Sequence, residues 1–152
     1  MPSVVHAMPW GFLLVEEQGD ALTRVQYLSP EEGRAASSSE ATPLLKEACA
    51  QLDAYLAGRL RRFDLPLSPQ GTQFQRRVWE ALSHVPYGET RTYGQLAAQL
   101  QTAARPVGGA LNKNPLPIFL PCHRIVGANG NLTGFAGGLV IKEKRLKLEH
   151  IL

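Results

Sequence analysis

Apolar and β-branched residues run from Trp10 to Glu17 and again from Ala21 to Leu28, with Gln18-Gly19-Asp20 between them. That spacing predicts two strands joined by a hairpin turn. Ser29 to Thr42, rich in Ser, Glu, Ala and Gly, shows no period and reads as a surface loop. From Pro43 to Gly58 the pattern becomes helical, with Leu45, Ala48, Cys49, Leu52, Tyr55 and Leu56 recurring on one face. Thr42 is placed to cap this helix, Pro43 suits its first turn, and Gly58 suits its stop. Cys49, on the apolar face, reads as a small core residue.

The proline-punctuated run Phe63 to Gln70 is the expected domain boundary, giving an N-terminal α/β domain over 1–68 and a second domain over 69–152. Thr72-Gln73-Phe74-Gln75 has the form of a capping box, opening a helix with Phe74, Val78, Trp79 and Leu82 at helical intervals and ended by Pro86-Tyr87-Gly88. A short helix over Thr92 to Leu100 and a second segment, Arg105 to Leu111, suggest a helix-turn-helix, whose second helix meets DNA. That second segment is thin, with Ala103, Ala104, Gly108, Gly109 and Ala110. Small residues let a backbone approach a partner closely but cannot reach base edges, which favours contact by shape over sequence readout. Tight helix–helix packing accounts for the same residues equally well. Asn114-Pro115-Leu116-Pro117 breaks the helix, and Ile118-Phe119-Leu120 reads as a short strand leading into Pro121-Cys122. A turn over 127–131, an aromatic-bearing loop over Thr133 to Gly138 and a closing helix from Lys142 to Ile151 complete the reading.

Composition adds limits. A chain of 152 residues, 44% hydrophobic, can bury a real core. Its net charge of +3, with 19% charged residues, is compatible with nucleic acid as a partner but does not demand it. Two cysteines cannot build a disulfide framework, the N-terminus does not resemble a signal peptide, and no apolar run is long enough to cross a bilayer. The expectation is a soluble protein of a reducing cytosol, or of the nucleus in a eukaryote, with no membrane association.

Candidate chemistry concentrates in Pro121-Cys122-His123-Arg124-Ile125-Val126. A thiolate is a far better nucleophile than a thiol, and an adjacent base or positive charge favours it. A proline that fixes the incoming backbone, followed by Cys, His and Arg, therefore reads as a held nucleophile.

The order Gly71-Thr72-Gln73-Phe74-Gln75, Val78-Trp79, Pro86-Tyr87-Gly88, Thr92-Tyr93, Arg105-Pro106-Val107-Gly108-Gly109-Ala110, Asn114-Pro115, Pro121 to Val126 and Gly137-Gly138 resembles the O6-alkylguanine-DNA alkyltransferase family. The resemblance covers the C-terminal half of the chain. It implies an α+β architecture: a ribonuclease H-like sheet-plus-helix domain followed by a mostly helical domain bearing the helix-turn-helix and the active-site cysteine. It also implies irreversible, stoichiometric transfer of an alkyl group from O6 of guanine to Cys122. His123 would take the thiol proton through a water, Glu149 would orient the imidazole, Asn114 would hold the site, and the Tyr93 hydroxyl would offset charge developing on the leaving base. The partner would be double-stranded DNA carrying O6-alkylguanine, entered from the minor groove with little sequence preference by a monomer. Arg105, Tyr93, Thr92, Ala104, Gly108, Ala110 and Asn112 would touch the DNA, and Arg105 would fill the stack as the base flips. The base pocket would comprise Tyr93, Ile125, Phe135 and Ala136.

Phe135 and Ala136 stand where relatives often carry Tyr and Ser, which removes two hydroxyl contacts. Some members hold a structural zinc, but the N-terminal region offers only His6 and Cys49, so no metal and no cofactor are expected. The competing readings are a non-catalytic protein that recognises alkylated DNA, against which Cys122 argues, and a helix-turn-helix regulator, against which the bare second helix argues.

Overall fold

The computed structural model describes residues 2–9, 11–36, 41–127 and 149. The chain divides into two compact units, Met1–Pro69 and Gln70–Leu152.

The first unit is an antiparallel meander, β1 (Ser3–Met8), β2 (Gly11–Gln18) and β3 (Ala21–Leu28), in the order β1-β2-β3. Gly19 (φ 60) and Asp20 (φ 64) form the two-residue turn between β2 and β3, in the left-handed conformation that matches strand twist. The predicted hairpin is therefore present; β1 is an additional strand. Its alternation is blurred by Val4-Val5 and by a histidine, so it carries no clean period of two.

Leu13, Val15, Leu22 and Val25 turn inward from β2 and β3, and Leu45, Ala48, Leu52 and Tyr55 from α2 (Pro43–Leu56) complete the core. Thr42 caps α2, its hydroxyl accepting from the Leu45 amide at 3.1 Å. The same hydroxyl donates to the buried Glu17 carboxylate, tying the helix start to β2. Gly58, with φ 77, lies just beyond the helix end.

The expected loop after β3 contains a further short helix, α1 (Pro30–Ala35), opened by a Ser29–Glu32 capping box. Gly33 lets α1 lie on β2, since a Cβ there would stand 2.0 Å from the Phe12 ring. Its length and this interior glycine leave too little periodicity to read. Cys49 also departs from expectation. It is half-buried at the edge of the apolar face, not in the core. The prolines before the second unit are docked on the sheet, the Leu22 amide donating to Pro66 at 2.9 Å and the Ser68 amide to Leu22 at 2.8 Å.

The second unit contains α3 (Gln73–Leu82), β4 (Arg91–Thr92), α4 (Tyr93–Gln99), α5 (Ala104–Asn112), a 3-10 turn over Cys122–Arg124 and β5 (Ile125–Val126). Capping boxes at Thr72–Gln75 and Thr92–Gln95 start α3 and α4. Trp79, 1% exposed, donates from its indole nitrogen to the Ala110 carbonyl at 2.9 Å and so ties α3 to α5. β4 and β5 pair in parallel, Arg91 with Ile125 and Thr92 with Val126.

The strand expected over 118–120 is not formed. Pro117 and Leu120 meet in an isolated bridge, and Ile118 adopts φ 79, a strained conformation for a β-branched residue. Pro115, Pro117 and Pro121 donate no amide, so this segment cannot support a ladder and folds as compact turns. Among the described residues no helix is long and apolar enough to cross a membrane.

Candidate active site

Cys122 begins the 3-10 turn and is 6% exposed. Its amide donates to the Leu120 carbonyl at 2.8 Å, and the Arg124 amide donates to Pro121 at 3.0 Å. Asn114, 7% exposed, braces the approach to the turn. Its Nδ2 donates to the Leu120 carbonyl at 3.0 Å while its Oδ1 accepts from the Leu116 amide at 2.9 Å. One side chain thus fixes both ends of the segment that leads to the thiol.

Beside the cysteine lies a buried cluster of charge. His123 is fully buried, and its Nε2 stands 2.7 Å from Glu149 Oε2. The same carboxylate takes Arg124 Nε on Oε1 at 2.9 Å and Arg124 NH2 on Oε2 at 3.0 Å, while the Gly88 amide donates to Oε1 at 3.1 Å. A carboxylate removed from water is costly unless paired and hydrogen-bonded, and both conditions are met here. Arg124 is held in turn by donation from NH1 to the Val85 carbonyl at 2.7 Å and by the Tyr87 ring, whose centroid is 5.8 Å from the guanidinium carbon. Nε2 of His123 is thus committed to Glu149.

The β4–β5 ladder joins the segment entering Tyr93 to the segment leaving the cysteine turn, and it holds Ile125 fully buried. Tyr93 is half-buried at the start of α4. Its ring lies beside Gly108 of α5, where a Cβ would sit 3.9 Å from Cε1. Thr92 caps α4, its hydroxyl accepting from the Gln95 amide at 3.0 Å.

On α5 the expected contact residues separate. Ala104, Arg105 and Asn112 are exposed and Gly108 is half-buried, and helical spacing places them on one open face. Ala110 is a correction. It is 3% exposed and faces α3 beneath the Trp79 indole, so its side chain is packing and not surface. The small residues therefore divide between a packed face, with Ala110, and an open face, with Ala104 and Gly108.

The structure thus gathers Cys122, His123, Asn114 and Glu149, and places Tyr93 against α5. Phe135 and Ala136 lie outside the described residues, as does the expected closing helix apart from Glu149. Sequence reasoning took Arg124 only as positive charge beside the thiol, not as the partner of Glu149, and gave no site role to Gly88, Val85 and Tyr87 around it. Among the described residues no group of three His, Cys, Asp or Glu side chains is arranged to hold a metal ion.

Comparison with known proteins gives a consistent picture. Residues 5–69 match the family model of the 6-O-methylguanine DNA methyltransferase ribonuclease-like domain, and residues 73–151 match that of the 6-O-methylguanine DNA methyltransferase DNA binding domain. A methylated-DNA–protein-cysteine methyltransferase of Methanosarcina acetivorans is 47% identical over 149 residues, covering 95% of this chain and 96% of that protein. The constitutive methylated-DNA–protein-cysteine methyltransferase of Bacillus subtilis is 45% identical over 94% of this chain and 92% of its own. The crystal structure of Mycobacterium tuberculosis OGT in complex with DNA superposes with a TM-score of 0.84 at 42% identity, covering 95% of this chain and 90% of that one.

Proposed function

The chain belongs to the 6-O-methylguanine DNA methyltransferase family, and from that premise we propose that Cys122 is the acceptor in its reaction. The activity is direct-reversal repair, in which an alkyl group passes from the O6 of a guanine in DNA to a cysteine of the protein itself. The observation that carries the assignment to Cys122 is the contact of Glu149 with the neighbouring His123 at 2.7 Å in a fully buried setting. It supplies a base and the group that orients it beside a held thiol.

The thiol proton passes through a water to Nδ1 of His123, and Glu149 stabilises the resulting imidazolium. Cys122 Sγ displaces O6 at the alkyl carbon. The carbon–oxygen bond breaks as the carbon–sulfur bond forms, and the electron pair stays with the base. The Tyr93 hydroxyl donates to the leaving guanine as its charge grows. The thioether is not broken again, so one chain repairs one lesion.

The target atom lies inside a duplex, and flipping the nucleotide out costs about a few kcal/mol. The open face of α5 is suited to that step, with Arg105 exposed to enter the stack and Ala104, Gly108 and Asn112 allowing close approach to a minor groove. In this reading α4 and α5 act as a helix-turn-helix that reads shape, with Thr92 fixing the start of α4 and Tyr93 and Ile125 bordering the base. Residues 69–152 bind DNA and perform the transfer, residues 1–68 form a separate scaffold domain, and the protein works in the cytoplasm as a monomer.

The test is intact mass after mixing the protein with a duplex carrying a single O6-methylguanine. Gain of one methyl group per chain, mapped to the peptide holding Cys122 and absent in Cys122→Ala, is the expected result. Tight lesion binding with no gain of mass would replace this reading with damage recognition alone.

A further inference from the structure

From Thr90 to Ile141 the sequence contains neither Asp nor Glu, while Arg91, Arg105, Lys113 and Arg124 fall inside that run. Two of these cations are already paired with carboxylates from outside it, Arg91 with Glu89 at 3.2 Å and Arg124 with Glu149 at 2.9 Å. Arg105 and Lys113 are exposed, and neither side chain has an ionic or hydrogen-bond partner among the described residues. Both belong to α5, Arg105 in its first turn and Lys113 at its C-cap. They are separated by about 12 Å along the helix axis, and the exposed Gly109 lies midway on the ridge that joins them. A surface that displays unpaired cations and has no carboxylate in the surrounding sequence suits a polyanion.

Resting on the reading that the open face of α5 meets the duplex, we propose that Lys113 is a phosphate-binding residue, holding the DNA backbone at the end of α5 opposite Arg105. Its ammonium is a compact charge on a flexible stem, which suits a phosphate oxygen and carries no base readout. Arg105 cannot serve the same purpose while its guanidinium occupies the base stack. Lys113 also directly precedes Asn114, whose side chain braces the segment leading to Cys122. A phosphate held at Lys113 therefore docks the duplex where α5 gives way to the thiol-bearing segment. A cation at a helix C-terminus also offsets the helix dipole, but that effect acts on stability and leaves the salt dependence of DNA binding unchanged.

The affinity of the full chain for an undamaged duplex, followed between about 50 and about 200 mM salt, tests the assignment. Each phosphate neutralised adds about 0.9 to the steepness of log K against log salt. Lys113→Gln should lower the steepness by about that amount and weaken binding alike on unrelated sequences. Lys113→Arg, which keeps the charge, should restore the parental value. Lys46→Gln removes the same charge from an exposed position on α2 and should leave the steepness as it was. Parental steepness in Lys113→Gln, with or without a lower urea midpoint, overturns the proposal and leaves Lys113 as a partner of the helix dipole at most. An equal loss in Lys46→Gln also overturns it, because net charge and not a contact would then be the cause. Duplex binding by the parent chain that does not depend on salt would remove the DNA-facing reading of α5, and the role of Lys113 with it.

Discussion

Arg124 clasps the buried carboxylate of Glu149 with two nitrogens at once, Nε at 2.9 Å and NH2 at 3.0 Å, while its chain neighbour His123 holds the same carboxylate at 2.7 Å. The carboxylate therefore serves two purposes. Arg124 offsets its charge and fixes its plane, and that plane sets the tilt of the imidazole. The planar guanidinium is needed for this, because a lysine offers a point charge and no fork.

Arg124→Met should leave the buried carboxylate with only the His123 ring and the Gly88 amide, without the guanidinium that offsets its charge, and lower stability by about 3–5 kcal/mol. Arg124→Lys should recover part of that stability but not the orientation of His123. Its single-turnover alkyl-transfer rate should fall on the order of tenfold or more, in line with the weight of a positioned base. Urea titration and quenched-flow transfer to a methylated duplex read the two effects separately. If Arg124→Lys transfers at the parental rate, the fork has no part in positioning His123.

Asn114 makes the second prediction. Both of its amide atoms are used inside a buried segment, one toward Leu120 and one toward Leu116. Asn114→Ala leaves the Leu116 amide unsatisfied and removes one of the two donors to the Leu120 carbonyl, which keeps the Cys122 amide. It should cost about 1–3 kcal/mol if the Leu116 amide stays dry. Asn114→Asp keeps the acceptor for Leu116 but loses the donor to Leu120. It should retain more stability than Asn114→Ala only where its carboxyl is protonated. Measuring both variants over an acid-to-neutral range decides between these roles, and a pH-independent difference would argue that Leu120 is not the contact that matters.

What the sequence disclosed and what it hid follow a physical division. The α2 cap at Thr42, the turn at Gly19-Asp20 and the capping box at Thr72 depend on residues a few positions apart, and each could be read directly. Cys122 and His123 were legible for the same reason. Glu149 and Asn114 followed from the resemblance, not from spacing. The grip of Arg124 on Glu149 spans 25 positions, and no local pattern signals it. The expected strand at 118–120 failed because apolarity was weighed above the three prolines around it. Cys49 was misplaced because an apolar face has edges, and it lies half-buried at one of them.

Arg105 allows a prediction that separates flipping from chemistry. It is exposed on α5 and makes no contribution to the core, so Arg105→Ala should change stability by less than about 0.5 kcal/mol. Its reaction with free O6-benzylguanine should match that of the parent chain, since no base need leave a stack. Its repair of a duplex lesion should slow by about tenfold or more, reflecting part of the unstacking energy. Equal losses on both substrates would place Arg105 in the base pocket and not in the stack.

The last prediction concerns pH and the first unit. Hydrogen bonding to Cys49, followed by Asp53, raises His6 from 6.5 to about 9 against the opposing effect of burial. Between those two values the folded chain holds a proton that the unfolded chain has released. Stability from this group is therefore complete below about 6.5, declines as pH rises, and is gone above about 9. Other groups titrate in the same window, so the informative quantity is the difference between the parent chain and His6→Gln. That difference in urea midpoint should be largest at the acid end and shrink as pH rises through the window, because glutamine carries no proton to lose. Asp53→Asn should shrink it in part, since Asp53 supplies the second of the two supports. A parent–variant difference that stays constant from below 6.5 to above 9 would show that His6 stabilises the α2–β1 contact by packing alone.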